Sequence, residues 1–277
     1  MSLPEPPIWS RVILLILTIA SFYPQIFRIQ TTHTIRGISS LSILWCLIRA
    51  TEQLTISIFS LYVDVGSDGN ILLHDPPSKG DRFNLWHFAI VTVLFLSLFL
   101  RVTLHSDRRN SLIAAYACYL FVSITPLPWI LEATSPFQGL DQQFFASIFY
   151  AVHSMLIYPI FTILGFVGIY YQAREILTIP FPNALSLSGL AAQAVIFTLV
   201  SVTLIWALPF PYEKSDGEFS WRSFSVWYGV IGWIIVDNFV FALGQAVLLA
   251  LGLLRSSSSN NGALGGETEP LLGSVAH

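Results

Sequence analysis

Seven long apolar runs constrain the fold of this chain more than any other feature of its sequence. Each has roughly 20 residues with few charges, the length that an α-helix needs to cross the hydrocarbon core of a bilayer. The runs lie near residues 9–27, 38–62, 84–104, 111–131, 144–171, 184–208 and 222–254. Only helices satisfy their own backbone hydrogen bonds over such a length in lipid. The sequence therefore predicts an all-α membrane protein with seven transmembrane helices.

The composition leaves no room for a large soluble domain. Of 277 residues, 54% are hydrophobic and only 10% are charged, whereas a soluble domain carries roughly 25% charge. The net charge of -3 gives no reason to expect a nucleic-acid partner. The sequence contains no metal-ligand cluster, nucleophile elbow or phosphate-binding loop, so we expect neither a cofactor nor an enzymatic activity.

The loops between the runs differ in charge and so predict the orientation. Loops 28–37 and 101–110 are basic, whereas loops 63–83, 132–143 and 209–221 are rich in acids. By the positive-inside rule the basic loops face the cytosol. With seven spans, the N-terminus is then luminal or extracellular and the C-terminus is cytosolic.

The end of the chain has a different composition. Residues 256–277 are rich in Ser, Asn and Gly and are predicted to form a disordered cytosolic tail. Within it, Glu267 lies four residues before the pair Leu271 and Leu272. This spacing is similar to the acidic dileucine signals that clathrin adaptors read. It favours a vacuolar or lysosomal membrane, with the plasma membrane left open.

An internal repeat emerges when the chain is shifted by 147 residues. The matched pairs are Tyr23/Tyr170, Gln25/Gln172, Ile29/Ile176, Thr31/Thr178 and Ser39/Ser186. This phase predicts a first three-helix repeat at 1–104, a linker helix with its loops at 105–143, and a second three-helix repeat at 144–255. Because an odd number of spans separates them, the repeats run parallel, as in transporters with a site near the midplane. Chance similarity among apolar helices is the alternative.

Asp237 lies in the middle of the last apolar run, followed by Asn238 and Gln245. A charged carboxylate at the bilayer centre costs about 2.5–3.5 kcal/mol on insertion scales. Such residues usually line a polar cavity, a proton path or a substrate site. We therefore predict that Asp237 binds a proton, with Asn238 and Gln245 as possible cavity residues. A structural acid bonded to neighbouring helices is the alternative.

Arg49 and Glu52 are two further charges, and both lie well inside the second predicted span. At positions i and i+3 they share a helix face and can form an ion pair. Arg49 could instead remain free in a cavity and bind the carboxylate of a solute. Two histidines, His87 and His153, could relay protons, although a lone histidine is more often structural.

The motif Tyr23-Pro24-Gln25, followed by a basic loop and Gly37-Ile-Ser-Ser-Leu-Ser42, resembles the PQ-loop repeat family. That family includes the cystinosin-like exporters of lysosomes and vacuoles, with the SWEET sugar carriers as distant relatives. The second copy of the motif is degraded, because Tyr171 stands where the family has proline. The stretch around Asp237 is also similar to the family's last span, where an aspartate couples protons to export.

The resemblance implies seven helices arranged as two parallel three-helix repeats joined by a linker helix. It also implies a proton-coupled carrier that exports a small polar solute, an amino acid or a derivative, from an acidic organelle to the cytosol. Pro24 and Gln25 would act as hinge and gate, with Gln172 as their counterpart. Proline can bend a helix because it lacks an N–H, whereas the glutamines could also serve only to join helices.

Two other functions stay open at this point. The amino-acid exporters of the family often have Gly-Asp and then Asn near the positions of Arg49 and Glu52, and this chain departs from that pattern. A sugar uniporter like the SWEET carriers would not need an ionisable Asp237. A non-transporting sorting receptor or scaffold is the other alternative, because the KDEL receptor shares the seven-helix layout. Protons, a small polar solute, membrane lipid and possible clathrin adaptors are the expected partners.

Overall fold

The computed structural model describes residues 6–62, 78–128, 140–179, 183–207 and 221–265. Within these ranges all regular structure is helical, and seven helices are long and apolar enough to cross a membrane. The prediction of an all-α membrane protein with seven transmembrane helices is confirmed.

We number the seven helices in chain order and include the short π-helical turns that interrupt three of them. They are α1 (Ile8–Thr32), α2 (Ser40–Tyr62), α3 (Lys79–Leu104), α4 (Arg109–Tyr119 with a π-helical turn at Leu120–Ile124), α5 (Leu140–Val152 and Tyr158–Thr178, joined by a π-helical turn at His153–Ile157), α6 (Leu187–Ala207) and α7 (Trp221–Trp227 and Trp233–Gly265, joined by a π-helical turn at Tyr228–Gly232).

Local capping explains why some helices exceed their predicted apolar runs. Helix α3 begins five residues before the predicted run because Ser78 and Asp81 form a capping box. The Ser78 hydroxyl accepts from the Asp81 N–H at 3.2 Å, and the Asp81 carboxylate accepts from the Ser78 N–H at 2.8 Å. This reciprocal pair satisfies two backbone donors at the start of the helix. Hydropathy does not register such polar first turns.

Helix α5 is interrupted close to Pro159. The π-helical turn ends at Ile157, and Pro159 falls in the first turn of the piece Tyr158–Thr178. A proline inside a continuous α-helix would clash with the carbonyl four residues earlier and leave it without a donor. A π-helical turn such as the one before Pro159 is a common way for a helix to accommodate this clash and the missing N–H donor.

The principal helix contacts follow the same order in the two halves of the chain. In the first half α3 packs against both α1 and α2, and in the second half α7 packs against both α5 and α6. The halves meet where α1 packs on α6 and α2 packs on α5, while α4 packs on α2 and α3. This pattern is what two equivalent groups of three helices would give, and we refer to α1–α3 and α5–α7 as the two triplets. The division into repeats and a linker stays a prediction.

The interior contains many polar groups, and the exterior is largely apolar. Arg49, Glu52 and Asp237 are each 5% exposed or less, whereas Met155 and Phe121 are more than 70% exposed. A water-soluble fold would show the reverse distribution. Apolar side chains facing outward are what contact with lipid tails requires, and buried polar groups must then find partners within the protein.

Helix α7 continues beyond the predicted membrane run. It reaches Gly265, so residues 256–265 are helical and not part of a disordered tail. Extending an existing helix adds one backbone hydrogen bond per residue and needs no new nucleation, which favours continuation past the bilayer edge. The predicted sorting signal, Glu267 with Leu271 and Leu272, lies outside the described residues.

Candidate functional site

Two glutamines bridge the helix triplets through reciprocal backbone contacts. Gln25, near the end of α1, donates to the carbonyl of Ala184 at 3.0 Å and accepts from the N–H of Ser186 at 2.9 Å. Each glutamine amide offers one acceptor and two donors, so a single side chain can hold both backbone groups. Gln25 thereby fixes the segment that leads into α6.

Gln172 makes the same pair of contacts from the other triplet. It lies near the end of α5, donates to the carbonyl of Gly37 at 2.7 Å and accepts from the N–H of Ser39 at 2.8 Å. Both glutamines and both pairs of backbone partners are separated by the 147-residue shift found in the sequence. Gln172 therefore occupies the position equivalent to Gln25, although Tyr171 replaces the proline before it.

We expect Gln25→Ala and Gln172→Ala to lower the thermal stability of the purified protein by similar amounts. Each variant leaves one buried N–H and one buried C=O unpaired, at about 1–3 kcal/mol for each group. Thermal unfolding in detergent, followed by tryptophan fluorescence, measures the change. Thr31→Ala, an exposed side chain bonded only to its own helix, is the control. A loss confined to Gln25→Ala would show that the two contacts are not equivalent.

Arg49 and Asp237 form a buried ion pair between the triplets. The Arg49 Nε donates to Asp237 Oδ1 at 2.6 Å, and Nη2 lies 2.5 Å from the same oxygen. Nη2 also donates to the backbone carbonyl of Asp237 at 2.7 Å. Arg49 lies nine residues into α2, about 14 Å from the helix start at 1.5 Å per residue. That depth is close to the middle of a ~30 Å hydrocarbon core.

Two amides complete the network around Asp237. Gln53 donates to Asp237 Oδ2 at 2.8 Å, so both carboxylate oxygens have a partner. Asn238 donates to the carbonyl of Ile234 at 2.8 Å and approaches Gln53 Oε1 at 3.4 Å. Gln53 is not among the site residues predicted from the sequence. Its position four residues after Arg49, on the same face of α2, is the signal that could have identified it.

Of the two alternatives for Arg49, neither the ion pair with Glu52 nor a free guanidinium is found, because Arg49 pairs with Asp237. Every described hydrogen bond and ion pair of Arg49 goes to Asp237, and Glu52 has other partners. The reason lies in the packing, because α7 presents to Arg49 both a carboxylate and a carbonyl, which suit the fork of a guanidinium. Two residues on one helix face can pair only when no neighbouring helix offers a better acceptor.

Gly165 makes room for the guanidinium of Arg49. A Cβ added at Gly165 of α5 would lie 2.5 Å from Arg49 Nη1 and 2.9 Å from Cζ. One turn away, a Cβ at Gly168 would meet Trp45 at an ordinary 3.6 Å. A side chain at position 165 would therefore clash with Arg49, whereas an alanine at position 168 on the same helix face would fit.

We expect Gly165→Ala to destabilise the protein by about 1–3 kcal/mol, the usual range for overpacking, because it pushes the guanidinium away from Asp237. Gly168→Ala is the matched control and should stay close to the original stability. Thermal unfolding of the two variants in the same detergent measures the difference. Equal stability of the two alanine variants would contradict the placement of Arg49.

Glu52 lies in a second buried cluster. Its carboxylate pairs with His153 Nδ1 and accepts from Tyr119 Oη at 2.9 Å and from Ser123 Oγ at 2.8 Å. Ser123 and His153 both lie in π-helical turns, of α4 and α5 respectively. Such turns re-aim side chains and often occur at functional sites. The two turns bring Ser123 and His153 onto a carboxylate that is 0% exposed, and Tyr119, at the end of the α-helical piece before the first turn, supplies the third donor.

A cavity with several amide side chains in its largely apolar lining extends from the glutamines towards the ion pair. It is lined by Gln25, Gln172, Gln193, Gln245 and Ser42 among apolar side chains. A second cavity is lined by Arg49, Gln53, Asp237 and Asn238. The two share the lining residues Cys46, Phe95 and Phe241, so they lie next to each other.

The remaining predicted residues are placed as follows. Pro24 lies within the continuous helix α1 and is half-buried. Gln245 lines the first cavity and Asn238 the second. Glu52 lies in neither cavity.

These features define a polytopic membrane protein in which buried charged side chains of α2 and α7 form an ion pair. Comparison of the chain with protein-family models, with curated proteins and with solved structures finds no match.

Proposed function

We propose that this protein is a proton-coupled transporter of the PQ-loop type that moves a small polar solute from an acidic compartment to the cytosol by alternating access. The observation that carries this proposal is the buried pair of Arg49 and Asp237, which joins α2 to α7 beside a cavity that Gln53 and Asn238 also line. The favoured solute is an amino acid or a derivative.

A carboxylate at this position has the chemistry that proton coupling needs. Asp237 can take up and release a proton, whereas a guanidinium stays charged throughout. A proton on Asp237 would remove the charge that holds α7 to Arg49 of α2. The protonation state of one residue would thus change the contact between the two halves, and alternating access requires the halves to move relative to each other.

The two glutamines would hold the triplets together and so close one end of the cavity. Together they make four hydrogen bonds between the triplets, each to a backbone group in the segment before α2 or α6. Opening the cavity at that end requires these bonds to break. A state with the triplets closed at the opposite end would leave the glutamines free to line the path of the solute.

One observation favours a second candidate, a SWEET-like sugar uniporter. The cavity between the glutamines is lined by four amide side chains and a serine, and it contains no charged side chain. Amides can both donate to and accept from hydroxyl groups. A sugar could therefore bind in this cavity without using the ion pair.

Solute-evoked current in cells that display the protein at their surface separates the two candidates. Leu271→Ala with Leu272→Ala would prevent adaptor recognition of the tail and assist surface delivery. With the external solution at about pH 5, pools of amino acids and of sugars are applied in turn. An inward proton current with the amino-acid pool supports the proposal. Uptake of labelled sugar without current supports the uniporter, and no response from confirmed surface protein contradicts both.

A further inference from the structure

The buried site of Arg49 must contain a negative charge whenever Asp237 is neutral. Every described acceptor of Arg49 belongs to Asp237, and the arginine itself is 5% exposed. An unpaired guanidinium in such surroundings is strongly unfavourable. Since Arg49 cannot lose its proton, protonation of Asp237 alone would leave an isolated buried cation.

The groups around Asp237 offer no second anion to replace it. The titratable groups that face it are Arg49 and Cys46 from α2, and Tyr228 from the π-helical turn of α7. Helix α5 approaches Arg49 with Gly165. Helices α3 and α6 contribute only apolar side chains to the cavity: Val91, Phe95 and Phe197. Glu52 is held by its own three donors.

We propose that the missing anion is the carboxylate of the transported solute, which binds Arg49 in place of Asp237 when Asp237 takes up a proton. This inference rests on the proposed transport function and adds the substrate class, small monocarboxylates including amino acids. The Arg49 Nε–H and Nη2–H, now bonded to Asp237, would donate to the solute carboxylate. Gln53, which now donates to Asp237 Oδ2, would supply a further N–H.

The exchange conserves the charge of the site. Arg49 with ionised Asp237 is neutral, and Arg49 with protonated Asp237 and one bound carboxylate group is also neutral. The ammonium group of an amino acid adds a positive charge that lies outside this count. Each carboxylate that binds therefore brings one proton with it, which Asp237 holds. By linkage, a lower pH must tighten carboxylate binding, by up to about tenfold per pH unit while Asp237 is ionised in the unliganded protein.

Calorimetry on the full-length protein in lipid nanodiscs tests this exchange. The probes are a pool of common amino acids, a pool of short monocarboxylates, and the corresponding amides, with glucose as a neutral solute. Titrations in two buffers of different ionisation enthalpy report how many protons are taken up per bound ligand. Asp237→Asn imitates the protonated residue, and the double variant Arg49→Met with Asp237→Leu removes both charges without leaving either one unpaired.

The proposal predicts that carboxylates bind with uptake of one proton each and that the amides and glucose do not bind. Asp237→Asn should keep carboxylate binding and lose both its pH dependence and the proton uptake. The folded double variant should bind no carboxylate. Binding of amides as tightly as acids, carboxylate binding by the double variant, or no carboxylate binding by the wild-type protein would each overturn the proposal. A proton current driven by sugars would overturn it while leaving the proposed transport function intact.

Discussion

Arg49→Met is expected to lower the stability of the protein by about 3–5 kcal/mol near neutral pH. The variant removes the ion-pair partner of Asp237, which is 3% exposed, and so leaves a buried carboxylate without a counter-charge. The loss should become smaller near pH 5, because a carboxyl group can be neutralised by a proton. Thermal unfolding of purified protein at the two pH values measures both effects.

The opposite single variant gives the matching control. Asp237→Leu leaves Arg49 unpaired, and a guanidinium cannot be neutralised in this range, so its loss of stability should hardly change with pH. The double variant Arg49→Met with Asp237→Leu should recover most of the stability, because a buried pair can often be replaced by apolar residues at little cost. Additive losses in the double variant would contradict direct pairing of the two residues.

The second large effect is expected for Glu52→Leu. This variant removes the shared carboxylate acceptor of Tyr119, Ser123 and His153 at once. With about 1–3 kcal/mol for each group that loses its acceptor, the expected loss of stability exceeds 3 kcal/mol. Thermal unfolding in detergent, or the monodisperse yield where the variant is too unstable to unfold reversibly, measures it.

Glu52→Gln is the matched control, because an amide keeps an acceptor at nearly the same place. Glu52→Gln should lower the stability of the protein less than Glu52→Leu does. Adding His153→Phe to Glu52→Leu should restore part of the lost stability, because it removes one of the groups that lost its acceptor. An identical loss in Glu52→Leu and Glu52→Gln would mean that the charge of Glu52 stabilises the fold and its hydrogen bonds do not.

Hydropathy was sufficient to predict the seven helices. Crossing a bilayer demands about 20 apolar residues, and this demand is local to each span. The ends of the helices were less predictable because capping and helix extension depend on polar residues, as Ser78 and Asp81 show at α3. The extension of α7 to Gly265 was missed for the same reason, since a helix can continue through residues of low hydropathy.

The candidate site could be predicted only in part from the sequence. Asp237 was singled out because placing a carboxylate in an apolar run has a high free-energy cost. The 147-residue shift predicted equivalent positions for Gln25 and Gln172. The partner of Arg49 could not be predicted, because it depends on which helix packs on α2. Gly165 gave no signal, since its role is to leave space for a side chain 116 positions earlier in the chain.

Proton flux into liposomes that contain the purified protein tests the central claim most directly. The lumen carries a pH-sensitive dye, the outside is held at about pH 5 with the membrane potential clamped, and the pool of amino acids is added. The proposed mechanism predicts solute-dependent acidification of the lumen by the wild-type protein and none by Asp237→Asn, with both reconstituted to the same level. Equal solute-dependent acidification by Asp237→Asn would contradict Asp237 as the residue that couples protons to transport.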